Sequence, residues 1–116
     1  MTSPLQPGKD HRITPDQAAE MTKRHRNQAT VSGLRLPDEG SLGGVFTKAA
    51  VLALLAQQNA EYLRYYYARD GEGKRAIVLV ATDTAGKDIA DAGASVLDMH
   101  WPCPPFCSPG GGTLGG

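Results

Sequence analysis

From Ile13 the chain carries a polar start signal followed by Ala18, Met21 and His25 at helical spacing. Thr14 is suited to cap free backbone amides, Pro15 to the first helical position, and Gln17 to reach back and close a capping box. Lys23, Arg24 and Arg26 gather where the helix dipole favours positive charge. The spacing predicts a helix over 14–28. A second helix opens with Thr47 as cap and Phe46 stapled onto Val51, and Val51, Leu54 and Leu55 form its buried stripe. Gln57-Gln58-Asn59 gives it a polar end, and Asn59 tolerates the left-handed backbone that often follows a helix.

After Ala60 the period shortens to two. Tyr62-Leu63-Arg64-Tyr65-Tyr66-Tyr67 has the aromatic composition of a pleated strand. Asp70–Lys74 is a turn, and Ala76–Ala81 is apolar on both faces, as a central strand is, so the two strands form a hairpin. A second turn at Asp83–Asp88 precedes Ser95–His100, which reads as a third, edge strand. Between Val31 and Val45 the pattern loosens into a long connection with room for a short extended piece, and from Trp101 onward prolines and glycines rule out regular structure.

These elements predict an α+β fold in which two N-terminal helices pack across one face of a small antiparallel β-meander of two to three strands. A disordered arm over 1–12 precedes the single domain at 13–100, and a Pro/Cys/Gly-rich tail over 101–116 follows it. Along the first strand Tyr62, Arg64 and Tyr66 alternate with Leu63, Tyr65 and Tyr67. Whichever set avoids the helices leaves aromatic rings near solvent or a partner, and Tyr62, Arg64 and Tyr66 are the candidate binding surface.

Composition narrows the function classes. The 116 residues suit one core, and most of the excess of 14 Gly and 8 Pro lies at the two ends. Twelve Lys and Arg balance twelve Asp and Glu, so no net field draws the chain to nucleic acid or an anionic membrane. The longest apolar run, Ala49–Ala56, is far short of the roughly 20 residues of a membrane span. The N-terminus lacks the apolar stretch of a signal peptide, which points to the cytoplasm.

The chemistry-bearing residues cluster late. His100, Cys103 and Cys107 are soft ligands suited to zinc or copper, with Asp98, His25 or His11 as candidates for a fourth position. Zinc is therefore the cofactor to consider, although the spacing matches no known knuckle. A disulfide is the alternative: polyproline geometry would hold the two thiols roughly 12 Å apart, so a turn through Pro104-Pro105 must bring them together. In a reducing compartment such a bond would be redox-responsive. Two ordinary thiols in a Pro-rich tail are the plain alternative.

Ser108–Gly116 ends in Leu-Gly-Gly, as ubiquitin-like modifiers and sulfur carriers do, although those begin with a hairpin rather than helices. Cys103, Cys107, Ser108 and Thr113 behind a folded leader also resemble precursors of modified peptides. Gly71–Lys74 and Ala85–Asp88 lack the Gly five residues before the Gly-Lys and the Ser/Thr after the Lys of a phosphate loop and read as hairpin turns. No catalytic constellation emerges.

Ile13–Ala18, Leu63–Tyr66, Leu79–Asp83 with Gly86-Lys87-Asp88, and Cys103–Cys107 together resemble a group of small uncharacterised bacterial proteins that end in a Cys-Pro-x-x-Cys type tail. The resemblance implies a bacterial one-domain protein and no activity. The leading expectation is a non-enzymatic binding or interaction protein that uses its Tyr-rich sheet face toward a protein partner or a second copy of itself. A metal or redox site and a processed tail are the alternatives.

Overall fold

The structure is a computed structural model and describes residues 5–31, 42–91, 93–98, 101–103, 108 and 114. The described residues form two helices, α1 (Pro15–Val31) and α2 (Lys48–Leu55), and five strands, β1 (Gly43–Val45), β2 (Tyr62–Arg69), β3 (Arg75–Thr82), β4 (Val96–Leu97) and β5 (Trp101–Cys103). The chain is α+β. Strands β2, β3 and β4 make a three-stranded antiparallel sheet in that order, and β1 pairs antiparallel with β5 in a separate two-stranded ribbon.

Both helix starts follow from their caps. Gln17 N donates to Thr14 Oγ1 at 3.1 Å while Thr14 N donates to Gln17 Oε1 at 2.9 Å, a reciprocal capping box. Ala50 N donates to Thr47 Oγ1 at 3.2 Å. Asn59, at φ 68°, turns the chain out of α2 toward β2.

The β2–β3 hairpin owes its register to Asp70–Lys74. Asp70 Oδ1 accepts from Glu72 N at 2.8 Å and Lys74 N at 2.9 Å, and Gly73 takes φ 82°, which a side chain rarely adopts. The next loop repeats the device. Asp83 Oδ1 accepts from Ala85 N and Lys87 N, both at 2.9 Å, and Gly86 takes φ 85°. These two Asp-x-x-Gly-Lys turns align Tyr62 with Thr82 through Arg69 with Arg75, and then Thr82 with Asp88.

The arrangement of helices on the sheet differs from the sequence expectation of two helices packed on one meander. Only α2 packs on the sheet to any extent among the described residues, against β3 and β4. Leu54 is fully buried and meets Leu79 and Ala81, with Phe46, Val51, Ile77, Ile89 and Leu97 around them. Leu55, expected in the buried stripe, is exposed. Helix α1 stands apart for a reason visible in its composition: Ala18 and Ala19 are small, its largest apolar residue, Met21, is exposed, and most other positions are polar.

The ribbon is the second correction. Gly43–Val45, expected inside a connection, pairs with Trp101–Cys103, expected to be irregular. Pro102 is tolerated because a two-stranded ribbon consists only of edges, where a missing amide need not break a ladder. The third strand expected over Ser95–His100 is realised as Val96–Leu97 at the sheet edge. Gln57 ties it to α2, since Gln57 Oε1 accepts from Ser95 N at 2.8 Å while Gln57 Nε2 donates to Leu54 O at 2.8 Å. Of the expected N-terminal arm, residues 5–12 are described; they are exposed, with Lys9 N donating to Gln6 O at 3.0 Å.

Candidate interaction surface

Strand β2 divides its side chains between two different environments. The register pairs Leu63 with Ala81, Tyr65 with Leu79 and Tyr67 with Ile77, so these three residues share the face that α2 covers. The helix stops over β3 and β4. Exposure along β2 therefore climbs from 46% at Leu63 through 58% at Tyr65 to 79% at Tyr67. The Tyr65 and Tyr67 rings meet edge to face, with centroids 5.6 Å apart. Their hydrogen bond is the main cause that holds the Tyr65 hydroxyl above the usual phenol range.

The opposite face carries the expected surface residues Tyr62, Arg64 and Tyr66, which pair with Thr82, Val80 and Val78. Arg64 Nη1 donates to Asp88 Oδ1 at 2.6 Å and to Gly86 O at 2.8 Å, while the Tyr66 hydroxyl donates to Asp88 Oδ2. The Tyr66 hydrogen bond and then the guanidinium hold the Asp88 carboxyl below its ordinary value, against an opposing effect of burial. Asp88 in turn raises both Arg64 and Tyr66. The Tyr62 hydroxyl is buried with no hydrogen-bond partner among the described residues, and burial raises it as well. Arg64 and Tyr66 thus bind the second turn to the sheet, and the rings that reach furthest into water are those of the other alternation. Sequence periodicity sorted the two sets. It carried no signal for Asp88, whose part depends on the bridge from Thr82 across the turn.

The backbone of β2 adds a polar row. Asp70 N donates to Lys74 O at 2.9 Å, and Ile89 N donates to Ala81 O at 2.8 Å on the far side of β3. With the alternation of an antiparallel ladder, even-numbered residues of β2 bond to β3. The N–H and C=O groups of Leu63, Tyr65 and Tyr67 then point away from it, to an edge that no described strand pairs with.

A groove of about 700 Å³ begins beside Tyr67 and Ile77 and runs between α1 and β1. Leu114 sits in it, and its carbonyl accepts from Thr22 Oγ1 at 2.9 Å and Arg26 Nη1 at 2.8 Å. Cys103, in β5, is disulfide-bonded. A sulfur in that state is not a thiolate and does not ligate zinc in the usual way. His100 and Cys107 lie outside the described residues, and the described residues contain no cluster of three or more His, Cys, Asp or Glu side chains placed to hold a metal ion. No described helix is long and apolar enough to cross a membrane. No family model, curated protein or solved structure matches this chain.

Proposed function

We propose that this protein is a non-catalytic binding module that accepts an extended protein segment along the edge of β2 that no described strand pairs with. The observation that carries the reading is the coincidence, on the same residues, of outward backbone groups and exposed side chains. Leu63, Tyr65 and Tyr67 offer both, over a strand of eight residues. Main-chain hydrogen bonds along such an edge supply affinity, and alternate side chains beside it supply selectivity. Natural sheets usually blunt a long edge with Pro, inward charge or a bulge; the run from Leu63 to Tyr67 has its one charge, Arg64, turned to the opposite face and bound to Asp88. Tyrosine rings grip a partner with little loss of side-chain freedom.

Selection of binders from a library of displayed extended peptides tests the proposal. Selected peptides are expected to shift the amide resonances of Leu63, Tyr65 and Tyr67. They are expected to lose most of their affinity for Tyr65→Pro, which removes an outward amide that β3 does not use. Peptides that map elsewhere, or that bind Tyr65→Pro as well as the parent, overturn it.

A further inference from the structure

The β2 edge carries a pattern that fits itself. We propose that its partner is the β2 edge of a second copy of this chain, paired antiparallel about a twofold axis beside Tyr65. The inference rests on the strand-addition reading and names the partner.

From Leu63 to Tyr67 the outward backbone groups belong to the odd-numbered residues, so two copies hydrogen-bond only in registers that set odd residues opposite odd residues; beyond the strand Glu61 N turns inward and donates to Thr82 O at 2.7 Å. An axis at Tyr65 satisfies this and overlaps nearly the whole of Tyr62–Arg69. Tyr65 then faces its own counterpart, and Leu63 of each copy faces Tyr67 of the other, the aromatic and aliphatic pairing that stabilises adjacent strands. At the two rims the Arg69 end of each copy comes to the Glu61 end of the other, so the charges that approach there are opposite, although Arg69 Nη1 also donates to Gly73 O at 3.2 Å within its own chain. Arg64 falls opposite Tyr66, and no like charges meet.

Neighbouring registers do less. An axis at Tyr66 sets Arg69 against Leu63 and Glu61 against Gly71, and an axis at Tyr67 shortens the overlap and pushes Leu63 against Gly71. The product of the Tyr65 register is one continuous antiparallel sheet of β4-β3-β2 from each copy. Its shared face gathers both sets of Leu63, Tyr65 and Tyr67 beside the two α2 helices. An interface of one strand edge and its rings is at the small end for specific association, which places the dissociation constant at about the micromolar level.

The twofold position makes the register testable by charge exchange. The parent chain is expected to double its mass in light scattering as its concentration rises through the micromolar range. Tyr65→Lys and Tyr65→Glu each set like charges against one another and are expected to raise the dissociation constant at least about tenfold. An equimolar mixture of the two is expected to recover the dimer, because Lys then faces Glu. Tyr65 is 58% exposed, so both variants keep the parent fold, which circular dichroism checks. A measurement without substitution runs beside them: amide exchange at Leu63, Tyr65 and Tyr67 slows as protein concentration rises.

A parent chain that stays monomeric with unchanged amide exchange overturns the dimer. A dimer indifferent to both charges, or a mixture that remains monomeric, overturns the register and with it the proposal. Failure of the dimer is distinguishable from failure of strand addition. A monomer that still binds selected peptides along β2 loses the first alone, and one whose selected peptides bind elsewhere loses both.

Discussion

Asp88 accepts from Arg64 with one carboxylate oxygen and from Tyr66 with the other, so a single side chain joins the second turn to two positions of β2. Its carboxyl lies below the ordinary value of 3.8, and the sign of the consequence follows. A carboxyl depressed in the folded state contributes stability above its unfolded value and loses it as pH falls through the folded one. Arg64 and Asp88 keep 35% and 29% of their side chains exposed, so solvent screening limits the contribution to about 1 kcal/mol. Urea titrations at a series of pH values are expected to show stability level near neutrality and falling below about pH 4. In Asp88→Asn the neutral-pH stability is expected to be lower and part of that fall absent. An unchanged acid limb in the variant means that Asp88 is not part of the acid response.

At the level of elements, α1 and α2 have equally clear caps and opposite burial. Helix α2 presents Leu54 and Val51 to the sheet, whereas α1 presents alanines and an exposed methionine. Amide exchange is expected to separate them: amides of α1 exchange through local fraying, while those of β3 are the slowest in the molecule and exchange only on global opening. Equal protection of α1 and β3 would show that α1 is part of the same cooperative unit.

This contrast also marks what the sequence made legible. Caps, turn residues and the change of period are local, and they foretold both helix starts, the hairpin and the left-handed Asn59. Whether a helix packs, and onto what, depends on how much apolar volume its face carries, and a cap says nothing of that. The β1–β5 ribbon joins Gly43–Val45 to Trp101–Cys103 across about half of the chain, and neither segment has the alternation that announces a strand. For the candidate surface, the tyrosine run stood out. Which alternation stayed in water was decided by the reach of α2, a tertiary fact.

Across the whole molecule the buried apolar residues among those described are Leu54, Ala76, Leu79, Val80 and Ala81, and only Leu54 comes from a helix. Folding must outweigh the conformational entropy of the chain, and among the described residues the burial that does so centres where Leu54 meets Leu79 and Ala81. Two alanine substitutions in the same helix separate packing from helix propensity. Leu54→Ala empties a site with 0% exposure and is expected to cost about 2–5 kcal/mol, a large share of the roughly 5–15 kcal/mol of a typical domain. Leu52→Ala, at 54% exposure, is expected to stay within about 0.5 kcal/mol of the parent. Urea midpoints followed by circular dichroism measure both. Equal costs would mean that α2 does not close the sheet through Leu54. The outer edge of β2 would then lack the rigid support that both strand addition and self-pairing require, because a strand can present a fixed row of backbone groups only if the sheet behind it is held.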